Sequence, residues 1–140
     1  MNYRTGLISM LAAVLALSIA PAKAQDVDSP PAAGPYGAAV SLRWSEAAQL
    51  EERGDFNSAQ IQYQRALVAA RQLDNPQLRD CAIQGFQARI AAMEAARAYI
   101  RENGNSPRAI AQARAAGNQQ FEATFEELNR ARPDLVGSCP

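Results

Sequence analysis

Histidine is absent from the 140-residue chain, and Lys23 is its only lysine. Without His, neither a Ser-His-Asp nor a Cys-His nucleophile can be assembled, and the commonest zinc ligand is missing. Without Lys after residue 23, Schiff-base chemistry and a phosphate-loop lysine are excluded from the rest of the chain. No glycine-rich phosphate loop is present either. We therefore expect no catalytic site, no metal and no cofactor.

Carboxylates are the catalytic residue type that remains. The adjacent pairs Glu51–Glu52 and Glu126–Glu127 are of the type that glycosidases use as acid and base. Neighbouring positions on a helix, however, point about 100° apart, which is more typical of a solvated helix face. A carboxylate-based hydrolase is thus a remote alternative to a non-catalytic protein.

Net charge is also small. Without Arg4 and Lys23, which belong to the N-terminal segment described next, the 14 basic residues fall to 12 arginines against 14 acidic residues, a formal charge of −2. Nucleic acids and anionic membranes attract a clustered excess of Lys and Arg, whereas charges of both signs are interspersed here. The composition therefore predicts no nucleic-acid binding.

The long apolar run is confined to the N-terminus, where residues 1–24 have the pattern of a signal peptide. Arg4 supplies positive charge, residues 7–20 are apolar, and residues 22–24 give the small-x-small pattern of a cleavage site. We expect cleavage after Ala24 and export, which makes the protein periplasmic or secreted.

An uncleaved membrane anchor is the alternative for this segment. A membrane span needs about 20 apolar residues, and Pro21 ends the run before that length is reached. Gln25, and not Cys, follows the predicted cleavage site, so attachment to lipid is not expected. We therefore predict a product without a stable membrane anchor.

Cysteine is scarce, because Cys81 and Cys139 are the only two in the chain. In an oxidising compartment an even number favours a disulfide. The bridge would close a loop of roughly 60 residues, for which the chain-entropy model gives about 4 kcal/mol of stabilisation. An intermolecular bridge or a reduced pair is the alternative.

Strong helix formers dominate the chain after residue 40, where β-branched residues are few. Residues 25–39 are rich in Pro and Gly and are expected to form a flexible leader, followed by a single all-α domain over residues 40–140. Periodicity and capping residues predict about four helices, which cover residues 41–53, residues from 57 onward, residues 75–102 and residues 106–132. Gly117 and Asn118 are expected to kink or split the fourth helix.

The third and fourth helices are expected to form a long antiparallel hairpin about Gly104. In that arrangement Cys81 meets Cys139, and Phe86 lies near Phe121 and Phe125. Trp44 and the tyrosines fall at helical spacing, which is more typical of core residues than of a ligand cage.

One segment resembles a known family. Gly54 follows the first helix, and an aromatic residue, small residues and a second aromatic follow it at regular spacing, namely Phe56, Ala59, Tyr63 and Ala66. This pattern resembles a tetratricopeptide repeat over residues 41–74, although Glu46 stands where that family usually has an apolar residue. A degenerate second copy places Gly104, Ala109 and Ala116 at the same spacing. The resemblance implies an antiparallel helical hairpin that holds peptides or partner proteins.

The resulting functional hypothesis is a non-catalytic interaction module that binds another cell-envelope protein or peptide. Polar residues on the repeat-like hairpin and near the tip of the long hairpin are the candidate contacts, namely Gln60, Gln64, Arg71, Arg97, Arg101 and Arg108. A self-associating helical scaffold is the alternative, in which the repeat face packs against a second copy and forms a homo-oligomer.

Overall fold

The computed structural model describes residues 34–140, so the predicted signal peptide and most of the predicted leader lie outside the described residues. Four α-helices follow one another in this part of the chain: α1 (Ala38–Glu52), α2 (Phe56–Ala70), α3 (Pro76–Asn103) and α4 (Pro107–Ala131). A short 3-10 helix, Pro133–Leu135, comes last. No strand occurs among residues 34–140, and the all-α prediction is confirmed.

Side-chain caps explain where three of these helices begin. Asp55 accepts a hydrogen bond from the backbone N–H of Ser58, so α2 begins at Phe56, one residue earlier than expected. Asn75 and Ser106 cap α3 and α4, and each is followed by proline at the first helical position. Such side chains satisfy backbone N–H groups that have no partner within the helix.

Helix α1 begins earlier than its predicted start at residue 41. It includes Ala38 and Ala39, which had been assigned to the flexible leader. Tyr36 precedes the helix and packs, partly buried, against the hydrophobic core. The last residues of the predicted leader therefore belong to the folded part of the chain.

Each helix packs against the next one in the chain, and the contacts are made largely by alanine. The buried alanines are distributed over all four helices: Ala47, Ala59, Ala66, Ala70, Ala82, Ala88, Ala92, Ala96, Ala109 and Ala113. Short side chains allow neighbouring helix axes to approach closely, because no large group has to fit between the backbones. The large buried residues of the core are fewer than its alanines, and only Tyr63 and Val40 among residues 34–140 are large side chains less than 2% exposed.

Gly117 lies where α4 packs against the backbone of α3, and the prediction that the helix is split there is wrong. Helix α4 runs unbroken from Pro107 to Ala131. A Cβ atom at residue 117 would lie 3.0 Å from the backbone oxygen of Ala92 and 3.6 Å from the Cβ of Ala96. Glycine is therefore present because the backbone of α3 occupies the space of a side chain.

Two side chains of α4 contact the turn between α1 and α2. Gly54 has φ of 79°, a conformation that other residues rarely adopt, and the Ile110 side chain packs directly against it. Arg114 donates hydrogen bonds to the backbone oxygens of Glu51 and Glu52 at 3.1 and 2.9 Å. Carbonyl groups at the end of a helix lack donors from a following turn; here the Glu51 oxygen also accepts from the backbone N–H of Gly54 at 3.0 Å.

The predicted disulfide is present. Cys81 and Cys139 are joined at 2.08 Å across 58 positions of sequence, so the segment after α4 is fixed to the first turns of α3. Leu135, which belongs to this segment, is buried. No helix among residues 34–140 has the length and apolar character needed to cross a membrane.

Replacing both cysteines, in the variant C81S/C139S, should lower the free energy of unfolding by about 4 kcal/mol, because the denatured chain loses a cross-link that closes a long loop. Urea denaturation followed by circular dichroism measures the difference. The reduced wild-type chain is the control and should behave like the double variant. Equal stability of the oxidised wild type and the double variant would contradict the expected role of the bridge.

Two glycines within helices should respond in opposite directions to alanine. Gly117→Ala should destabilise the fold by about 1–3 kcal/mol, because the added Cβ meets the backbone of Ala92. Gly85→Ala should stabilise it by about 0.4–1 kcal/mol, because its Cβ meets nothing within 4 Å and alanine reduces the entropy of the unfolded chain. Thermal unfolding of the two variants side by side checks both signs.

Candidate partner-binding surface

Helix α2 has a buried stripe formed by the residues of the repeat-like motif. Phe56, Ala59, Tyr63 and Ala66 are each at most 3% exposed. The Tyr63 hydroxyl donates a 2.8 Å hydrogen bond to Oε1 of Glu51. Burial and the adjacent carboxylate raise the pKa of Tyr63 well above its ordinary value. These motif residues join α2 to its neighbours and are not available to a partner.

A second apolar stripe on α2 faces an open groove shared with α1. The groove has a volume of about 720 Å³. Three of its apolar side chains are unusually accessible: Leu42 is 46% exposed, Ile61 is 41% exposed and Val68 is 58% exposed. Smaller and polar residues complete the lining, namely Ala39, Arg43, Gln64, Arg65, Ala69 and Gln72. We call this surface the α1–α2 groove.

The charge of the α1–α2 groove is of one sign. Within residues 34–140, the charged residues that line it are two arginines, Arg43 and Arg65, and no acidic residue lines it. Arg43 also contacts Glu46 at 3.2 Å and Gln62 at 3.4 Å, so part of its charge is neutralised at the rim. An apolar floor with a basic edge favours an apolar ligand that has acidic flanks.

The predicted partner-binding residues do not form one surface. Gln64 lines the α1–α2 groove, and Arg71 is exposed just beyond the end of α2. Arg97 and Arg101 border a separate depression of about 250 Å³ at the start of α2. Arg108 is exposed in the first turn of α4. The α1–α2 groove is thus lined by none of the four predicted arginines, Arg71, Arg97, Arg101 and Arg108.

Gln60 is not a surface residue, and its expected accessibility is wrong. It is only 6% exposed. Its amide donates to Oε1 of Glu94 at 3.4 Å and accepts from Nη1 of Arg97 at 2.6 Å. Helix α3 covers this side of α2, so Gln60 and Arg97 stabilise the contact between the two helices.

Trp44 also differs from the expectation of a core residue, because it is 42% exposed. Its ring meets Phe86 edge-on, with centroids 5.9 Å apart. Both rings line a cavity of about 210 Å³ together with Tyr36, Phe121 and Phe125. We call it the aromatic cavity. The expected proximity of Phe86 to Phe121 and Phe125 is thereby found.

The candidate carboxylate pairs are engaged separately. Glu51 accepts the Tyr63 hydrogen bond, and Glu126 forms an exposed ion pair with Arg130 at 3.3 Å. Glu52 and Glu127 are exposed. Within residues 34–140 no three His, Cys, Asp or Glu side chains are grouped so as to hold a metal ion.

Sequence reasoning missed the apolar part of the α1–α2 groove. The signal was available, because Ile61 and Val68 lie seven positions apart and outside the Phe56–Tyr63 stripe. Residues seven apart share a helix face, so α2 has two apolar faces. An isolated helical hairpin can bury only one of them.

Comparison of the chain with protein-family models, curated proteins and solved structures finds no match. The resemblance of residues 41–74 to a tetratricopeptide repeat rests on the motif residues alone. Function is therefore inferred from the chemistry of the two concave surfaces.

Two neighbouring glutamines should separate structural from surface roles. Gln60→Ala should lower the free energy of unfolding by about 1–3 kcal/mol, because it leaves Arg97 and Glu94 without their partner. Gln64→Ala should change it by less than about 0.5 kcal/mol, as exposed substitutions usually do. Chemical denaturation of both variants measures the difference, and equal effects would contradict the burial of Gln60.

Proposed function

We propose that the chain is an exported, non-catalytic interaction module that binds an amphipathic helix of another cell-envelope protein in the α1–α2 groove. The observation that supports this most strongly is the exposure of Leu42, Ile61 and Val68 on one continuous concave surface. Contiguous exposed apolar side chains that are rimmed by polar residues are a feature of interaction sites, and this groove has both.

The dimensions of the groove favour a helix of about two turns. Its α2 wall extends from Ile61 to Ala69, which is roughly 12 Å at 1.5 Å per residue. Helix-in-groove recognition uses apolar anchors that include positions i and i+7, and the exposed apolar residues of α2, Ile61 and Val68, have this same spacing of seven. The arginines at the edge favour acidic residues beside those anchors.

Export is supported by two independent features. Residues 1–24 have the charge, apolar run and small residues of a signal peptide. The Cys81–Cys139 bridge is typical of oxidising compartments outside the cytosol. The partner is accordingly expected in the cell envelope, and the repeat-like hairpin is the kind of scaffold that presents such a groove.

The alternative is a scaffold in which two copies pack groove to groove. The exposed apolar side chains of the groove favour such a contact between copies, but the positive charge of the groove does not. In a two-fold symmetric contact each surface meets itself, so Arg43 and Arg65 would face the arginines of the second copy. Like charges across an interface are unfavourable, which is why a different, acidic partner is preferred.

Affinity capture from cell-envelope extract tests the proposal with charge-matched variants. Val68→Asp places a carboxylate in the groove, whereas Gln119→Asp places one at an exposed position of α4 that lines neither the α1–α2 groove nor the aromatic cavity. Wild type and Gln119→Asp should retain the same envelope protein, and Val68→Asp should lose at least tenfold of it. A synthetic peptide of the captured segment should be helical, acidic and weaker in binding at high salt.

Charge reversal provides a second variant in the same experiment. Arg65→Glu should weaken binding of the peptide several-fold and remove most of the salt dependence of that binding. Retention of only the chain's own copies would favour the scaffold instead. Equal capture by wild type and Val68→Asp would overturn the groove as the binding site.

A further inference from the structure

The aromatic cavity is a second concave surface that the proposed partner helix does not use. It shares no lining residue with the α1–α2 groove. Its walls come from α1, α3, α4 and the segment bridged by Cys81 and Cys139. The disulfide joins the wall formed by α3 to the wall formed by the last residues of the chain, so these two walls are covalently linked.

Five aromatic residues of the described part of the chain line the cavity, namely Tyr36, Trp44, Phe86, Phe121 and Phe125. Phe121 and Phe125 lie stacked, with centroids 5.6 Å apart and planes 11° apart. Trp44 and Phe86 lie nearly perpendicular, at 89°. The cavity thus offers both ring faces and ring edges, which are the two ways in which a flat aromatic ligand is bound.

Among residues 34–140, Arg89 is the only charged side chain that lines the cavity. Its guanidinium carbon lies 4.3 Å from the centre of the Phe121 ring. No acidic side chain lines the cavity, and no carboxylate among residues 34–140 forms an ion pair with Arg89. A partly buried arginine that forms no ion pair with a carboxylate side chain favours an anionic ligand, since guanidinium binds carboxylates in a two-pronged geometry.

Gly85 leaves space in the aromatic cavity that a larger side chain would fill. It lies within the long helix α3, where glycine weakens a helix. Gly117 has a packing reason for being glycine, but a Cβ atom at residue 85 would meet nothing within 4 Å. Gly85 lines the aromatic cavity, so what a larger side chain would occupy there is the cavity itself.

We propose that the aromatic cavity binds a small aromatic carboxylate, with its ring among Trp44, Phe86 and Phe121 and its carboxylate on Arg89. The size is consistent, because a dry cavity of about 150 Å³ holds benzene and this one has about 210 Å³. One substituted ring fits, whereas a peptide chain does not. This binding activity is independent of the groove.

Trp44 is the only tryptophan in the chain, so its fluorescence reports on the cavity directly. The probes are 4-nitrobenzoate and the uncharged 4-nitrobenzyl alcohol, titrated into the full chain. Both should quench Trp44 saturably, and the carboxylate should bind about tenfold more tightly, as expected for a charge-assisted contact. Arg89→Gln should abolish that preference, and Arg89→Lys should restore part of it.

Gly85→Leu is the blocking variant and should remove saturable quenching by both probes while the helical circular dichroism stays unchanged. Val68→Asp is the control for the groove and should bind like wild type. Unsaturable quenching in the wild type, or equal affinities of the two probes there, would overturn the proposal. If Gly85→Leu loses helicity, the Arg89 variants decide alone, and an undiminished preference in Arg89→Gln contradicts it.

Discussion

Close contact between helices through alanine and glycine is the constraint on which the rest of the structure depends. Gly117 lets the backbone of α3 fill the place of a side chain, and buried alanines line the other helix contacts. Such contacts bury little apolar area per residue, and hydrophobic stabilisation scales with that area. A covalent bridge between Cys81 and Cys139 therefore adds stability that a larger core would otherwise supply.

The same constraint determines where the large apolar residues lie. Helices that touch through alanine leave no room between them for many large side chains. Leu42, Ile61 and Val68 are accordingly found on the open face of the α1–α2 hairpin, and the rings of Trp44 and Phe121 border a cavity. Both concave surfaces follow from a core built of small residues, and both have arginine as their charged lining.

Much of the fold was predictable from the sequence, because its signals are local. Asn75 and Ser106 mark helix starts through their own side chains, and the hairpin of α3 and α4 brought the two cysteines together. The site was less predictable. Periodicity identifies residues that share a face of one helix, but not the neighbouring helix that covers that face. Gln60 and Gln64 are one turn apart, yet α3 buries the first and leaves the second exposed.

Site-specific photo-crosslinking in intact cells of the organism that makes the chain is the most direct measurement of what occupies the α1–α2 groove. A photo-reactive amino acid would replace Val68 in the groove, or Gln119 on the exposed face of α4 as the control. We expect a covalent adduct with one envelope protein from position 68 and none from position 119, with the crosslinked peptide acidic and amphipathic. Adducts that contain only the chain itself, or that form equally at both positions, would contradict a dedicated partner-binding groove.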